Sequence, residues 1–399
     1  MTGGRRRVVV TGGAGFVGSH LCEALVERGD DVVCVDDLSS GSRDNVVHLM
    51  ADDSPRAGSS GTGGAASRPA GGLAGIAGAA PEQVGPELAG VNRGPAGGGS
   101  SGSSADGSDG GSAPGAAVRG TFELIVADVS EELPVDGPVG AVAHLASPAS
   151  PPDYLRRPLQ TLAVGSEGTR RALELAARHG ARFLLASTSE VYGEPAVHPQ
   201  HEEYWGSVNP VGPRSVYDEA KRFAEALTMA YARTLGTHVG IARIFNTYGP
   251  RLRPGDGRVV SNFLAQALTG AALTVYGDGS QTRSLCFVDD TVAGLLALLD
   301  SDELGPVNIG NPAEITVADL ARRVLALTGS SSSVDYLPLP QDDPTRRCPD
   351  IARAGERLGW APVVGLDDGL RRCAEWVAAE LGVPVHRDGH AEPAGGGAS

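Results

Sequence analysis

The amino-acid sequence predicts an α/β fold, in which a doubly wound parallel sheet carries a smaller C-terminal lobe. Two observations indicate it. Short apolar runs rich in β-branched residues alternate with helical segments up to about residue 245, and a glycine-rich loop directly follows the first apolar run. Beyond residue 247 the pattern becomes irregular, with short helices predicted near 258–269, 289–300, 316–328 and 366–380. We therefore expect a smaller lobe that is interleaved with the sheet.

The N-terminal pattern predicts the first half of the sheet. Residues 6–11 form an apolar strand, residues 22–28 continue a helix after the glycine loop, and residues 31–36 form a second strand. The remaining predicted strands are 121–128, 141–146, 182–187 and 239–245, and the helices between them are 158–178 and 214–235. This strand–loop–helix–strand order is typical of a Rossmann domain that binds a dinucleotide.

The glycine loop reads Gly12-Gly-Ala-Gly15-Phe-Val-Gly18. Its three spaced glycines allow a tight turn, close approach of the backbone to a pyrophosphate, and close packing of helix on strand. Asp36 ends the second strand, where a carboxylate can accept hydrogen bonds from ribose hydroxyls and would repel a 2′-phosphate. Together with the neighbouring Asp37, it predicts NAD rather than NADP. Asp128, at the end of the next strand, is a candidate adenine contact.

Between residues 51 and 120 the alternation stops. Of these 70 residues, 51 are Gly, Ala, Ser or Pro, and none is aromatic. Such a segment cannot bury enough apolar surface to offset its ordering entropy, so we expect a disordered insertion in a surface loop. We expect the same of the polar, glycine-rich tail, residues 385–399.

The overall charge and the cysteines limit the possible functions. The formal net charge is −15, which disfavours nucleic-acid binding, because the phosphates would be repelled. No apolar run is long enough to span a bilayer, and the start of the chain lacks the apolar stretch of a signal peptide. Five cysteines without Cys-x-x-Cys spacing favour reduced thiols. These features predict a cytoplasmic protein that binds neither membrane nor nucleic acid.

Tyr217 and Lys221 lie four residues apart in Ser-Val-Tyr-Asp-Glu-Ala-Lys, on one face of a predicted helix. There the ammonium group is expected to hold the phenol partly ionised, so that it can act as a base at neutral pH. Alone this spacing is a weak signal. Combined with the dinucleotide loop and the triplet Thr188-Ser189-Glu190, it predicts an oxidoreductase active site.

Several longer strings carry a resemblance to a known family. They include His144-Leu-Ala-Ser-Pro-Ala-Ser-Pro-Pro152, Leu185-Ala-Ser-Thr-Ser-Glu-Val-Tyr-Gly193, Arg243-Ile-Phe-Asn-Thr-Tyr-Gly-Pro-Arg251, Gly257-Arg-Val-Val-Ser-Asn-Phe263, Tyr276-Gly-Asp-Gly-Ser-Gln-Thr-Arg283 and Gln341-Asp-Asp-Pro344. On these strings the chain resembles the extended short-chain dehydrogenase/reductase family, and within it the UDP-glucuronate decarboxylases. The resemblance covers nearly everything except the insertion and the tail.

The resemblance implies a set of site residues. The implied catalytic residues are Thr188, Ser189, Glu190, Tyr217, Lys221 and Arg347. The implied NAD contacts are Gly12, Gly15, Phe16, Val17, Gly18, Asp36, Asp37, Ser40, Gly41, Asp128, Leu145, Ser147, Tyr217 and Lys221. The implied UDP-sugar contacts are Tyr154, Asn246, Arg251, Val260, Tyr276, Arg283 and Arg347. Arginines suit a diphosphate because they donate two hydrogen bonds at once.

The central triplet favours decarboxylation over dehydration. A related dehydratase would carry Thr-Asp-Glu, with the Asp protonating a leaving hydroxyl, whereas Ser189 is a poor general acid at neutral pH. Oxidation of the C4 hydroxyl of UDP-glucuronate creates a β-keto acid, which loses carbon dioxide readily. We expect Tyr217, Lys221 and Thr188 to act at C4, Glu190 and Arg347 at the carboxylate, and bound NAD to be regenerated in each cycle.

One departure from the family leaves alternatives open. The family usually carries lysine after Thr161-Leu162, whereas Ala163 stands here. The enzyme is then expected either to complete the cycle to UDP-xylose or to release UDP-4-keto-pentose. An NDP-sugar 4-epimerase, which would share Tyr217 and Lys221, is another interpretation, against which the Ser-Thr-Ser-Glu190 string and Arg347 count. A non-catalytic NAD-binding module is a third, against which the intact Thr188, Tyr217 and Lys221 count. No step needs a metal, so we interpret His198 and His201, beside Glu202 and Glu203, as a polar loop.

The predicted domain organisation follows from these assignments. Residues 1–50 and 121–245 form the NAD-binding Rossmann domain, and residues 246–384 mainly form the UDP-sugar-binding lobe. The resemblance also implies a homodimer built on a helix bundle that includes the Tyr217 helix.

Overall fold

The structure is a computed structural model that describes residues 5–50, 119–339 and 346–384. Apart from Arg119 and Gly120, the predicted insertion lies outside the described residues, as do the tail 385–399 and the Gln341-Asp-Asp-Pro344 string. Gly120 donates its backbone N–H to the Val26 carbonyl at 2.8 Å, which anchors the chain where it continues into the next strand. None of the described helices is long and apolar enough to cross a membrane.

Seven parallel strands form the main sheet, in the order β11-β6-β5-β4-β1-β2-β3. They are β1 Arg7–Thr11, β2 Asp31–Asp36, β3 Phe122–Val126, β4 Ala141–His144, β5 Arg182–Thr188, β6 Val239–Ile244 and β11 Pro306–Ile309. The chain moves outward from β1 in one direction through β2 and β3, and in the other through β4, β5 and β6. Ligands of open α/β sheets bind at such a reversal point, outside the carboxyl ends of the strands. The predicted fold class is confirmed.

Three two-stranded ladders accompany the sheet, β7 with β10, β8 with β13 and β9 with β12. Their strands are β7 Thr247–Tyr248, β8 Leu273–Tyr276, β9 Thr282–Ser284, β10 Cys286–Phe287, β12 Glu314–Thr316 and β13 Val334–Leu337. The helices are α1 Phe16–Glu27, α2 Pro151–Arg156, α3 Pro158–Ala163, α4 Thr169–His179, α5 Ser215–Leu235, α6 Val259–Thr269, α7 Val288–Leu299, α8 Val317–Thr328, α9 Ala352–Leu358 and α10 Leu366–Leu381. Short 3₁₀ turns occupy Arg43–Asn45, Val47–Leu49 and Ser189–Tyr192.

The central strand β1 is covered on both faces. Val8 and Val10 belong to the apolar cluster that includes Leu21 of α1, whereas Val9 belongs to the cluster on the opposite face, with Leu173 of α4. All three valines are fully buried, as expected of a parallel strand between two layers of helices. This burial makes the carboxyl end of β1 a rigid platform for the glycine loop.

Two differences from the sequence prediction concern α3 and β11. The helix predicted at 158–178 is interrupted by a π-helical segment, Val164–Gly168. There Gly165 lies so close to α5 that a Cβ atom would stand 2.7 Å from the Cβ of Ala220. The edge strand β11 was not predicted, because it has only four residues and helix–strand alternation is hard to recognise in such a short run.

Candidate active site

A cavity of about 760 Å³ opens at the carboxyl ends of the central strands. Of the site residues that the sequence predicts, only Gly41 does not line it in the described structure. Gly41 lies beneath the glycine loop, where a Cβ atom would stand 2.8 Å from the Ala14 carbonyl oxygen. Residues far apart in sequence, such as Gly12, Thr188 and Arg347, therefore share one cleft.

The glycine loop forms a cradle that side chains would fill. Gly12 has φ +73°, and a Cβ atom there would lie 2.6 Å from the Ala146 backbone nitrogen. A Cβ atom on Gly18 would lie 2.1 Å from the Gly12 carbonyl oxygen. The loop leads directly into the N-terminus of α1, which attracts phosphate through its unpaired N–H groups and its dipole. This arrangement fits the pyrophosphate of a dinucleotide.

The carboxylates beyond β2 form the other part of this cradle. Asp36 accepts hydrogen bonds from the Ala14 N–H at 2.9 Å and the Leu38 N–H at 2.8 Å. Burial raises the pKa of Asp36, and these two amide donors oppose that rise. Gln160 donates to both Asp37 and Asp128 at 3.2 Å, so three acidic residues are fixed at this end of the cleft. The acidic edge fits a ribose with free hydroxyls better than a 2′-phosphate.

Thr188 and Tyr217 meet at the centre of the cleft. Thr188 ends β5, of which all seven residues are buried, and Tyr217 lies in the first turn of α5. Their hydroxyl groups are hydrogen-bonded to each other. The Lys221 ammonium nitrogen lies 5.9 Å from the centroid of the Tyr217 ring and donates to the Ala186 carbonyl at 2.8 Å. The helical spacing therefore does place the pair on one face.

Burial opposes the expected effect of Lys221 on Tyr217. Burial raises the pKa of Tyr217 to about 12, and the hydrogen bond from Thr188 and the charge of Arg258 oppose the rise only partly. Burial also lowers the pKa of Lys221 to about 8, and the charge of Glu225 opposes that fall. The Tyr217 phenol is therefore neutral near pH 7 unless another positive charge comes close to it.

Glu190 lies between two arginines. One of its carboxylate oxygens accepts from Arg347 at 2.8 Å and from Arg214 at 2.9 Å. Arg347 is only 2% exposed and also donates to the Ser189 carbonyl, so it is fixed against the triplet that ends β5. Burial alone would raise the pKa of Glu190, but Arg347 and Arg214 outweigh burial and keep it below its usual range. Glu190 is therefore an anion in a basic surrounding.

The sequence matches a known family. Residues 8–55 and 112–310 match the family model described as the NAD dependent epimerase/dehydratase family. The chain belongs to this family. It is 43% identical to UDP-glucuronic acid decarboxylase 1 of Danio rerio over 377 residues, which cover 94% of this chain and 74% of the relative. It is 44% identical to UDP-glucuronic acid decarboxylase 1 of Arabidopsis thaliana, over 92% of this chain and 69% of the relative.

A solved structure of the same fold is the UDP-glucose 4-epimerase of Thermotoga maritima with UDP-glucose. It superposes with a TM-score of 0.69 at 25% sequence identity, covering 94% of this chain and 99% of that chain. These similarities identify the chain as a member of the UDP-glucuronic acid decarboxylase group within the epimerase/dehydratase family. The family description agrees with the dinucleotide cradle, so the predicted cofactor NAD is confirmed.

The far half of the cleft is lined by three arginines from separate segments. Arg251 follows β7 with φ +68° and donates to Glu23 of α1 at 2.6 Å. Arg283 lies in β9, and Arg258, which the sequence did not single out, directly precedes α6. Their convergence provides the local positive charge that an anionic ligand needs in a protein of net charge −15.

Two further residues of the site were missed from sequence. Arg214 and Asp218 flank Tyr217, and each lies close enough to Glu190 to affect its charge or be affected by it. Asp218 stands next to Tyr217 in the Tyr-Asp-Glu string, which gives it no local signal of its own. Only the fold shows that Glu190 lies near it.

The two histidines of the polar loop have separate partners. His198 contacts Glu314 at 3.0 Å, and His201 contacts Glu203 at 3.1 Å. The ligand atoms of His198, Glu314 and Cys348 lie within 4.8 Å of one another, a grouping the sequence did not predict. Ala163, the departure from the family pattern, ends α3 and is not among the described residues that line the cleft, whereas Gln160 and Val164 are.

Proposed function

We propose that this protein converts UDP-glucuronate to UDP-xylose and carbon dioxide, with NAD bound throughout the cycle. The observation that carries the proposal is the Glu190–Arg347 pair, which lies in the same cleft as Thr188 and Tyr217. The curated relatives that cover most of the chain are named UDP-glucuronic acid decarboxylases. A carboxylate substrate suits a site in which two arginines surround one acidic residue.

The reaction needs an oxidation at C4 before carbon dioxide leaves C5. When bound, NAD would accept the C4 hydride, return it later, and place a positive charge near the phenol. Tyr217 takes the proton of the C4 hydroxyl, and Thr188 orients the tyrosine hydroxyl. With the C4 ketone in place, the C5–C6 bond breaks and its electron pair moves into the ketone as an enolate. Tyr217 then gives its proton back to the C4 oxygen.

The positive charge that bound NAD would supply helps because the Tyr217 phenol is otherwise neutral and does not accept a proton. Since burial raises the pKa of Tyr217 to about 12, proton removal from the sugar requires a stabilised phenolate. Lys221 is held by the Ala186 carbonyl at 2.8 Å, within reach of the ribose side of the cofactor cradle. We propose that Lys221 positions the cofactor and contributes to that stabilisation only after the ligands bind.

Arg347 and Glu190 act at the carboxylate. Arg347 is a buried cation, and the substrate carboxylate competes with Glu190 for it. When the substrate carboxylate lies close to the Glu190 carboxylate, their repulsion raises the energy of the bound substrate. Loss of carbon dioxide removes that repulsion. Ser189 presents its carbonyl to Arg347 and has no acidic side chain, so no group of the triplet protonates a leaving hydroxyl. This is why decarboxylation, and not dehydration, suits the site.

The positive charge of the arginines assigns residues to the nucleotide half of the cleft. We propose that Arg251 and Arg283 bind the diphosphate, with Asn246, Val260 and Tyr276 around the uridine. Tyr276 is 41% exposed, as expected of a side chain that a planar base covers on binding. Arg258 belongs to the same basic wall and lies close enough to Tyr217 to affect its pKa.

We also propose a homodimer formed through α3 and α5. These helices contact each other, and they leave Leu159 81% exposed, Phe223 51% exposed and Leu162 39% exposed. A second copy would cover these apolar side chains, as the family resemblance implies. Phe223→Glu is expected to produce a monomer in light scattering after size-exclusion chromatography, whereas an unchanged mass would contradict this interface.

A cytoplasmic location is the accompanying proposal. The five cysteines are free and buried, which suits a reducing compartment. Fractionation of cells that express the full chain tests the location, and recovery with membranes or in the medium would contradict it.

The function is tested by proton NMR of purified protein with UDP-glucuronate and NAD. We expect UDP-xylose without net NADH. UDP-4-keto-pentose with stoichiometric NADH would mean that the cycle stops early. UDP-galacturonate would identify a 4-epimerase, and NAD binding without any turnover would identify a non-catalytic module.

A further inference from the structure

The decarboxylation consumes one proton in every turnover. A carboxylate becomes carbon dioxide and a C–H bond, so the C5–C6 electron pair must finally bind a proton at C5. The proton that Tyr217 takes from the C4 hydroxyl returns to the C4 oxygen, and the hydride returns to C4. Neither this proton nor the hydride can move to C5, because the two are needed to restore the O–H and C–H bonds at C4. This argument rests on the proposed function, and it requires a second acid besides Tyr217.

Buried polar atoms without partners are concentrated at this end of the cleft. Seven buried side-chain nitrogen and oxygen atoms have no hydrogen-bond partner in the described residues. Three of the seven are the Tyr154 hydroxyl, one Asp218 carboxylate oxygen and the Arg347 Nε. Buried polar groups are almost always paired, so these three atoms call for a partner that a bound ligand or a transferred proton would supply.

Tyr154 lies directly beside Tyr217, the residue proposed to act at C4. Its ring is stacked on that of Tyr217, with the centroids 5.3 Å apart and the planes 6° from parallel. Both residues line the cleft. Since C4 and C5 are bonded neighbours in the sugar, two parallel phenols can serve them separately, Tyr217 at the C4 oxygen and Tyr154 at C5. A hydroxyl can also accept a proton on one side while it donates on the other.

Burial raises the pKa of Tyr154 above its ordinary value, so the phenolate left after proton transfer would be unfavourable in this surrounding. A neighbouring acid must restore its proton. Asp218 is 6% exposed and adjacent in sequence to Tyr217, and its charge is among those that act on Tyr154. It is not among the described residues that line the cleft, so it can act only through another group.

We propose that Tyr154 gives C5 its proton after carbon dioxide leaves, and that Asp218 is the positioning residue that stores this proton and restores it to Tyr154. The bond formed is C5–H, and the enolate pair that makes it comes from the broken C5–C6 bond. The Tyr154 oxygen receives the Asp218 proton as it releases its own, so no phenolate accumulates. Solvent water reprotonates Asp218 between turnovers.

The surroundings of Asp218 favour a stored proton. Burial raises the pKa of Asp218 to about 7, the charge of Glu190 raises it further, and Arg214 and Arg347 oppose both. The charged and titratable groups around it are Glu190, Arg214, Arg347, Tyr154, Tyr217 and, on its own helix, Glu219. The substrate carboxylate adds another negative charge beside this cluster, which favours protonated Asp218 at the moment when the proton is needed.

The test compares Asp218→Asn and Tyr154→Phe with the wild type in single turnovers of the NAD-loaded enzyme on UDP-glucuronate. We expect carbon dioxide and NADH to form in the first turnover at rates within about 3-fold of wild type, while NADH reoxidation slows by about 100-fold, the usual scale of one general acid. Tyr154→Phe keeps the ring stack. The control Tyr192→Phe removes a buried hydroxyl that donates to Asn308 and does not line the cleft, so we expect it to leave all rates unchanged.

The pH profile provides a second readout. Because Asp218 must carry a proton, wild-type kcat is expected to fall as pH rises above about 7, with Asp218→Asn slow and flat over the same range and Asp218→Glu restoring the fall. Wild-type reoxidation rates in Asp218→Asn or in Tyr154→Phe would overturn the proposal. Equal slowing of carbon dioxide release and reoxidation would also overturn it, because it would indicate a structural role. A wild type that releases no carbon dioxide would instead contradict the proposed function.

Discussion

The two ends of the cleft are built differently. At the cofactor end Asp36 accepts from Ala14 and Leu38, both within about one strand–loop–helix unit of it in sequence. At the reaction end, Glu190 is held by Arg214 and by Arg347, which stands 157 residues further along the chain. Three buried atoms there have no partner in the described residues. Asp36 is therefore held within its own strand–loop–helix unit, whereas Glu190 depends on a contact across the fold.

The largest effect should come from the residue at which the two ends meet. Tyr217→Phe removes the hydroxyl that is proposed to accept the proton of the C4 hydroxyl. Since general base catalysis contributes about 10²–10⁴-fold, kcat is expected to fall by about 10³-fold or more. NAD affinity, measured by fluorescence titration, should change by less than about 3-fold. The matched control is Tyr192→Phe, a buried tyrosine bonded to Asn308 at 2.8 Å, and near-normal turnover is expected of it. Substantial turnover in Tyr217→Phe would remove Tyr217 from the mechanism.

Breaking the distant pair should damage the reaction end alone. Arg347→Ala leaves Glu190 with one arginine, and removing one member of a buried ion pair costs about 3–5 kcal/mol. We expect carbon dioxide release to slow by about 100-fold and the melting temperature to fall, while NAD affinity is retained. Glu190→Ala should likewise slow decarboxylation more than it weakens NAD binding.

Arg347→Ala and Glu190→Ala distinguish the cofactor end from the reaction end when NAD affinity and carbon dioxide release are measured together. Isothermal titration with NAD and a radiolabelled carbon dioxide assay on the same preparations give the comparison. Wild-type kinetics in either variant would contradict the assigned role of the pair.

A change at the cofactor end should have the opposite pattern. Asp36→Asn keeps one side-chain oxygen that can accept a hydrogen bond from a backbone amide. It removes the negative charge that disfavours a 2′-phosphate. We expect the ratio of NAD to NADP affinity to fall by about 10-fold, equivalent to about 1.4 kcal/mol. The rate of carbon dioxide release at saturating NAD should stay within about 3-fold of wild type. Tighter binding of NADP than of NAD by the wild type would refute the assignment.

The smallest effect is expected at Ala163. Because position 163 lies outside the lining of the cleft, Ala163→Lys should change kcat and the share of released UDP-4-keto-pentose by less than about 2-fold. Product analysis by NMR measures both. A large drop in released keto product would show that a lysine at this position reaches the intermediate, and that the departure from the family pattern matters.

Sequence predicted the cofactor end more completely than the reaction end, for a physical reason. The glycine loop, α1 and Asp36 are contiguous, so their spacing alone specifies the cradle. The strands β1 to β6 were predicted within a few residues because they are continuous buried runs. The cluster around Glu190 depends on the tertiary fold, so Arg214 and Asp218 carried no local signal, and Arg347 was assigned only through the family resemblance.

Burial was the other quantity that sequence could not supply. The Tyr217–Lys221 spacing suggested a lowered tyrosine pKa, but the degree of enclosure decides the sign, and burial raises it to about 12. The short strand β11 and the π-helical segment Val164–Gly168 escaped prediction because they follow from packing against neighbours. What the sequence predicts for the residues outside the described ranges, including the insertion, remains a prediction.

The central claim is that the hydride leaves C4 and returns to it within one cleft while carbon dioxide is lost. The most direct test supplies UDP-glucuronate labelled at C6 to enzyme that holds one equivalent of NAD, and records labelled carbon dioxide together with absorbance at the NADH band. We predict many equivalents of carbon dioxide per NAD with no net NADH. Carbon dioxide that stops at one equivalent, with all NAD reduced, would contradict the closed cycle.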